Sequence, residues 1–122
     1  MPRRFSQKLA SCVKSELAKA KQARSVRDAR LEFSHLERAH VLGQESTYWH
    51  VKVHFMMLAW GLRNISMREI IGQIIRIVGA VVVTPLGVVP LGNTGGSNVS
   101  PFKKMPIDPN LESIINESKS GS

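Results

Sequence analysis

Apolar residues along this chain recur every three or four positions, the spacing of one helix face, and no stretch shows the sustained alternation of a half-buried strand. Phe5, Leu9, Val13, Leu17 and Ala20 make the first stripe and predict a helix over 5–23, with Lys and Arg around it. Ser25, followed by Asp28, reads as a partial capping box for a second helix over 25–42, stopped by Gly43. The turn at 44–46 is short, so a third helix over 47–63, capped by Ser46 or Thr47, should run antiparallel to the second. Ser66-Met-Arg-Glu69 caps a fourth helix over 67–83. Its expected buried face is Ile70, Ile71, Ile74, Ile75 and Val78, with Arg68 and Arg76 outside. Pro85 disfavours helix at Thr84.

Residues 84–108 are punctuated by Gly, Pro, Asn and Ser and read as irregular. Their apolar side chains, among them Leu86, Val88, Val89, Phe102 and Ile107, predict a loop packed over the helices. Asp108-Pro109 opens a last helix over 109–117, docked by Leu111, Ile114 and Ile115, and 118–122 should fray. The fold class expected is all-α: an antiparallel helical hairpin within a four- to five-helix domain, with a long packed Gly/Pro/Asn loop near the C-terminus. Length and a 43% hydrophobic content suit one core, placed at 25–117, with 1–24 as a separate basic amphipathic helix.

Charge adds a second feature. The net charge is +8, and residues 1–30 hold nine Lys/Arg against Glu16 and Asp28, so seven of the eight positive charges lie there. Arg3, Arg4, Lys8, Lys14, Lys19, Lys21 and Arg24 form a basic surface fit for nucleic acid or an anionic membrane surface. The plainer account is a solvated helix face. Cys12, the single cysteine, excludes an intrachain disulfide and a cysteine-based zinc site. No apolar segment follows the basic N-terminus, so no secretory signal is read and a cytoplasmic location is expected. The alternative is membrane association through 70–92, where prolines and glycines cut the apolar run short of a clean span.

The candidate chemistry is in the histidines. His35, His40, His50 and His54 all lie within twenty residues. His40 lines up with Ala29, Phe33 and Leu36 in the apolar stripe of the second helix. His50 and His54, four apart, share a face with Met57 and Gly61, opposite Lys52 and Arg63. A hairpin would bring His40, His50 and His54 together, with His35 or Glu37 as a fourth ligand. Three imidazoles and an open position suit Zn, Cu or Ni. The alternative is a set of core histidines satisfied by hydrogen bonds. The loop residues Gly92, Asn93, Thr94, Gly95, Gly96 and Asn98 would cover the site, the asparagines bracing turns and glycines taking positive φ. As a phosphate loop this segment lacks the following Lys and the strand–loop–helix setting. No nucleophile or acid–base pair is visible, so no enzyme activity is expected.

Two motifs are specific enough to name a family. HLERAHVLGQ from His35 to Gln44 and GNTGGSNVSPF from Gly92 to Phe102, with His50-Val-Lys-Val-His54 and Arg68-Glu-Ile-Ile-Gly-Gln73 between them, resemble a small, mostly bacterial family, domain of unknown function 3703. The resemblance covers roughly 29–111 and leaves the basic first helix outside. It implies a setting beside heavy-metal efflux and resistance genes. Ala29-x-x-x-Phe33-x-x-Leu36-x-x-Ala39 is also similar to the second helix of a tetratricopeptide-type hairpin. The function expected is transition-metal binding, or an accessory role in metal resistance, through the inward histidines. The alternatives are a protein–protein interaction module, and a binder of nucleic acid or membrane through the basic helix.

Overall fold

The computed structural model describes residues 5–87 and 89–120; Arg3, Arg4 and Val88 lie outside the described residues. The fold is all-α. Five helices, α1 (Gln7–Ser25), α2 (Ala29–Gly43), α3 (Thr47–Arg63), α4 (Met67–Val83) and α5 (Pro109–Ser120), are joined by three short turns and one long loop, and no strand forms among the described residues. α1 packs along α2, α2 along α3, and α3 along α4, while α5 closes over α1 and α2. The core runs through this stack: Leu9 and Val13 of α1, Leu36, Ala39 and Leu42 of α2, Val53 and Met57 of α3, Leu111 and Ile115 of α5. Each large aliphatic side chain buried there contributes about 1.5–3 kcal/mol.

Three boundaries differ from the periodicity reading. The basic first helix is not a separate unit, because Leu9, Val13 and Ala20 are core residues. Its last turn takes Ser25, whose hydroxyl donates to the Gln22 carbonyl, so Ser25 does not cap α2. Asp28 does, accepting from the Leu31 amide. Between them Arg27 sits at φ 59°, and the Asp28 amide donates back to the Ala23 carbonyl, a helix-ending turn made without glycine. Conversely, Gly43 does not stop α2 but belongs to it. A Cβ there would lie 2.8 Å from the Cβ of Trp49, so glycine lets α2 and α3 approach. At the C-terminus α5 continues to Ser120 with Ser118 buried, where fraying was expected from 118.

The largest difference is α4. Its buried residues are Glu69, Gln73 and Ala80. Ile71, Ile74, Ile75 and Val78, expected inside, face solvent, and Arg76, expected outside, is half-buried with its guanidinium donating to the Gly72 and Val99 carbonyls. Only Ile70 of the expected set is partly covered. α4 therefore turns its polar stripe inward, because that stripe serves the histidines.

A candidate metal centre of three histidines

Each inward histidine is placed by helix geometry. His40 lies in the last turns of α2, and His50 and His54 stack one turn apart on the face of α3 that also buries Trp49, Val53, Met57 and Gly61. The antiparallel α2–α3 pair closes through Ser46, whose hydroxyl accepts from the Trp49 amide. All three rings are buried, with centroids 4.6–4.9 Å apart. One ring nitrogen of each lies within 4.8 Å of the other two.

The hydrogen bonds decide which nitrogen faces inward. His40 Nδ1 stands 2.7 Å from the Asn93 carbonyl, which can only accept, so Nδ1 carries the proton and donates. His54 Nδ1 donates to Gln73 Oε1 at 2.6 Å. The orientation of that amide is set by its other end, since Gln73 Nε2 donates to Glu69 Oε2 and to the Gly95 carbonyl. His50 Nδ1 contacts the Thr84 hydroxyl at 2.7 Å. His40 and His54 thus keep unprotonated Nε2 atoms, and these face each other 3.0 Å apart. Two lone pairs at that distance repel unless a cation lies between them.

Protons are held off by the surroundings. Burial, then the neighbouring rings, hold His40 well below its ordinary value despite the Asn93 carbonyl. Burial lowers His50 to about 3 and His54 to about 4. The unfolded chain therefore takes up protons below the ordinary histidine value of 6.5, where the folded metal-free protein does not. Stability is full above that pH and falls as pH drops towards 4, by up to about 1.4 kcal/mol per ring per pH unit. Thermal melts of metal-free protein should show Tm declining from pH 7 to pH 5. A flat Tm over that range would mean that the rings are not buried neutral.

The cluster borders a cavity of about 460 Å³ between α4 and the loop, walled by Ile75, Val83, Val89, Pro90 and Phe102. Gln44, one turn beyond His40, and Arg76 also line it. Gln44 Nε2 donates to the Pro90 carbonyl, and its Oε1 is buried with no partner among the described residues. The loop is held over the site by Asn93, whose Nδ2 donates to the Ser100 and Lys103 carbonyls and whose Oδ1 accepts from the Gly95 amide. Gly92 and Gly95 take positive φ, as expected for this segment, and Gly96 packs against Phe33, while Asn98 is exposed.

The other expected ligands are elsewhere. His35 Nδ1 bonds Glu16 Oε2 at 3.0 Å, on the α1 side of α2. Burial alone would raise Glu16, but His35, Arg38 and Lys19 hold its carboxyl below the usual range. Glu37 is bonded by Thr94, and burial together with Glu69 raises its carboxyl. The five-residue gap between His35 and His40 turns the two rings to different sides of α2. Glu37, three residues before His40, shares its side but is engaged by Thr94, and the convergent group is His40, His50 and His54 alone among the described residues. Lys8, Lys14, Lys19, Lys21 and Arg24 are exposed on α1, away from the cluster.

Sequence reasoning missed Gln73, Thr84 and Gln44. Their only local signal was their polarity within or beside apolar runs. For a metal held by the trio, Gln73→Leu would weaken binding about 10–100-fold, the usual cost of losing a residue that orients a ligand. An unchanged affinity by calorimetry would show that Gln73 serves the fold alone.

No curated protein and no solved structure matches the chain. The family match is wider than the motifs implied, because it includes the basic first helix that was set outside it. Residues 7–115, spanning all five helices but for the last turn of α5, match the family described as protein of unknown function DUF3703, and the chain belongs to that family.

Proposed function

We propose that this protein binds one transition-metal ion, zinc, copper or nickel, through the Nε2 atoms of His40, His50 and His54. The observation that carries this reading is the pair of facing lone pairs on His40 and His54, whose Nδ1 protons are both committed outward. Metal-bound histidines generally donate their other ring N–H to an oxygen acceptor, which fixes tautomer and orientation. A tetrahedral ion with metal–nitrogen distances of about 2.0–2.1 Å spaces its nitrogens about 3.3 Å apart. That separation falls between the 3.0 Å of the closest pair and the 4.8 Å limit of the set. The three rings and Gln44 line one cavity, which leaves room for a further ligand.

The site reads as binding rather than catalytic. Amide, hydroxyl and carbonyl groups and the Arg76 guanidinium surround the rings, and the Glu37 and Glu69 carboxylates are engaged by Thr94 and by Gln73 and Ser97. Three neutral ligands with an open side suit an ion held reversibly, as an accessory to metal resistance would require.

Elemental analysis of untagged protein, followed by zinc, copper and nickel titrations of the metal-free chain, tests this. One ion per chain is expected, absent from His50→Ala/His54→Ala. A wild type that binds no metal better than that double variant overturns the reading.

A further inference from the structure

The unpartnered feature of this molecule is α4. Met67, Ile71, Ile74, Ile75, Val78, Val81 and Val82 share one side of the helix, and each is between 51% and 64% exposed. Leu86 and Phe102, 71% and 87% exposed, extend the surface past the helix end and onto the loop. Phe102 and Ile75 wall the same cavity, so the loop tip stands beside the helix. Soluble monomers rarely leave so continuous an apolar surface in water.

The charges around it are of one sign. From residue 46 to residue 107 the cations are Lys52, Arg63, Arg68, Arg76, Lys103 and Lys104. The single acid in that stretch is Glu69, which is buried and bonded to the Ser97 amide and to Gln73. Arg68, at the start of α4, and Lys103 and Lys104, next to Phe102, are exposed. A second copy laid on this face would bring cations against cations; the one exposed acid of α3, α4 and the loop is Asp108, which sits at the loop's last residue and accepts from the Asn110 amide. An anionic lipid surface supplies both an apolar boundary and negative headgroups. Lys and Arg at the rim of an inserted apolar face reach the headgroups with their stems in the apolar layer.

We infer that α4 and the Phe102 loop tip dock this protein flat on an anionic membrane surface, α4 lying in the interface with Ile74 and Val78 inserted and Arg68, Lys103 and Lys104 on the headgroups. Met67–Leu86 is long and apolar enough to cross a bilayer by length and composition. Crossing would strip Glu69, Gln73 and Arg76 from their bonds to His54 and the loop. The parallel arrangement keeps those bonds and inserts only the face that nothing covers. It is independent of whether a metal binds.

Vesicle flotation of the full chain tests this, using phosphatidylcholine vesicles with and without phosphatidylglycerol. Wild type should float with the anionic vesicles, and Ile74→Ser/Val78→Ser should bind about tenfold or more weakly. Lys103→Ser/Lys104→Ser should bind several-fold more weakly and show a shallower salt dependence. These positions are surface residues, so circular dichroism should be unchanged. Wild type that fails to float overturns the inference. So does Ile74→Ser/Val78→Ser floating like wild type, which would assign binding to the basic face of α1. A lipid-independent dimer in sedimentation, lost in Ile74→Ser/Val78→Ser, would assign the face to a second copy and also overturn it.

Discussion

His40→Ala is expected to weaken zinc, copper or nickel binding by more than about 100-fold, since losing only a residue that orients a ligand already costs about 10–100-fold. In the proposed centre His40 would do more than supply one of three donor atoms. Its Nδ1 proton holds the Asn93 carbonyl, and its ring packs against Gly95, so it joins the α2 ligand to the loop that closes the site. His54→Ala should approach the same loss, because His54 supplies the other facing lone pair. His35→Ala is the control. Its ring is bonded to Glu16 on the far side of α2, and metal affinity should stay within about twofold of wild type, with a stability cost of about 0.5–1.5 kcal/mol. Competition titrations with a chromophoric chelator separate these outcomes. Equal losses in His35→Ala and His40→Ala would mean that histidines bind metal without a defined centre.

Gly95→Ala is expected to destabilise the protein by about 2–5 kcal/mol. A Cβ at that position would lie 2.5 Å from His40 Cδ2 and 2.7 Å from Cγ, against a buried ring with little room to move. The backbone is also at φ +87°, where an L side chain is strained. Relief requires either the loop to lift, breaking the Gln73 bond to the Gly95 carbonyl, or His40 to turn away from Asn93. Metal affinity should therefore fall together with stability. Gly79→Ala is the matched control: a Cβ there meets nothing within 4 Å, and the substitution lies within α4. It should stabilise by about 0.5–1 kcal/mol by raising helix propensity. Urea unfolding midpoints of the two variants decide it. A Gly95→Ala midpoint equal to wild type would show that the loop does not rest on His40.

Much of this was legible in the residues. Helices over 47–63 and 67–83 carry their own serine caps, and both appear with those bounds. The start of α2 was not legible, because Arg27, a non-glycine residue, takes the positive φ that ends α1. The inner face of α4 was misread for a different reason. Periodicity ranks faces by hydrophobicity and assumes that the more apolar one is buried. Here the less apolar face is buried, since His54 and the Gly95 and Val99 carbonyls need Gln73 and Arg76 as partners, and buried polar groups left unpaired are costly.

The all-α class, the antiparallel α2–α3 pair and the inward direction of His40, His50 and His54 follow from the residues alone, because periods and caps act within a few residues. The tertiary structure alone decided which nitrogens of His40 and His54 carry protons, that His35 and Glu37 lie outside the trio, and that the apolar side of α4 is left uncovered. The physical reason is separation along the chain. His40 is fixed by Asn93 across 53 residues, His50 by Thr84 across 34 and His54 by Gln73 across 19. No local rule relates groups so far apart; only packing brings a donor to its acceptor.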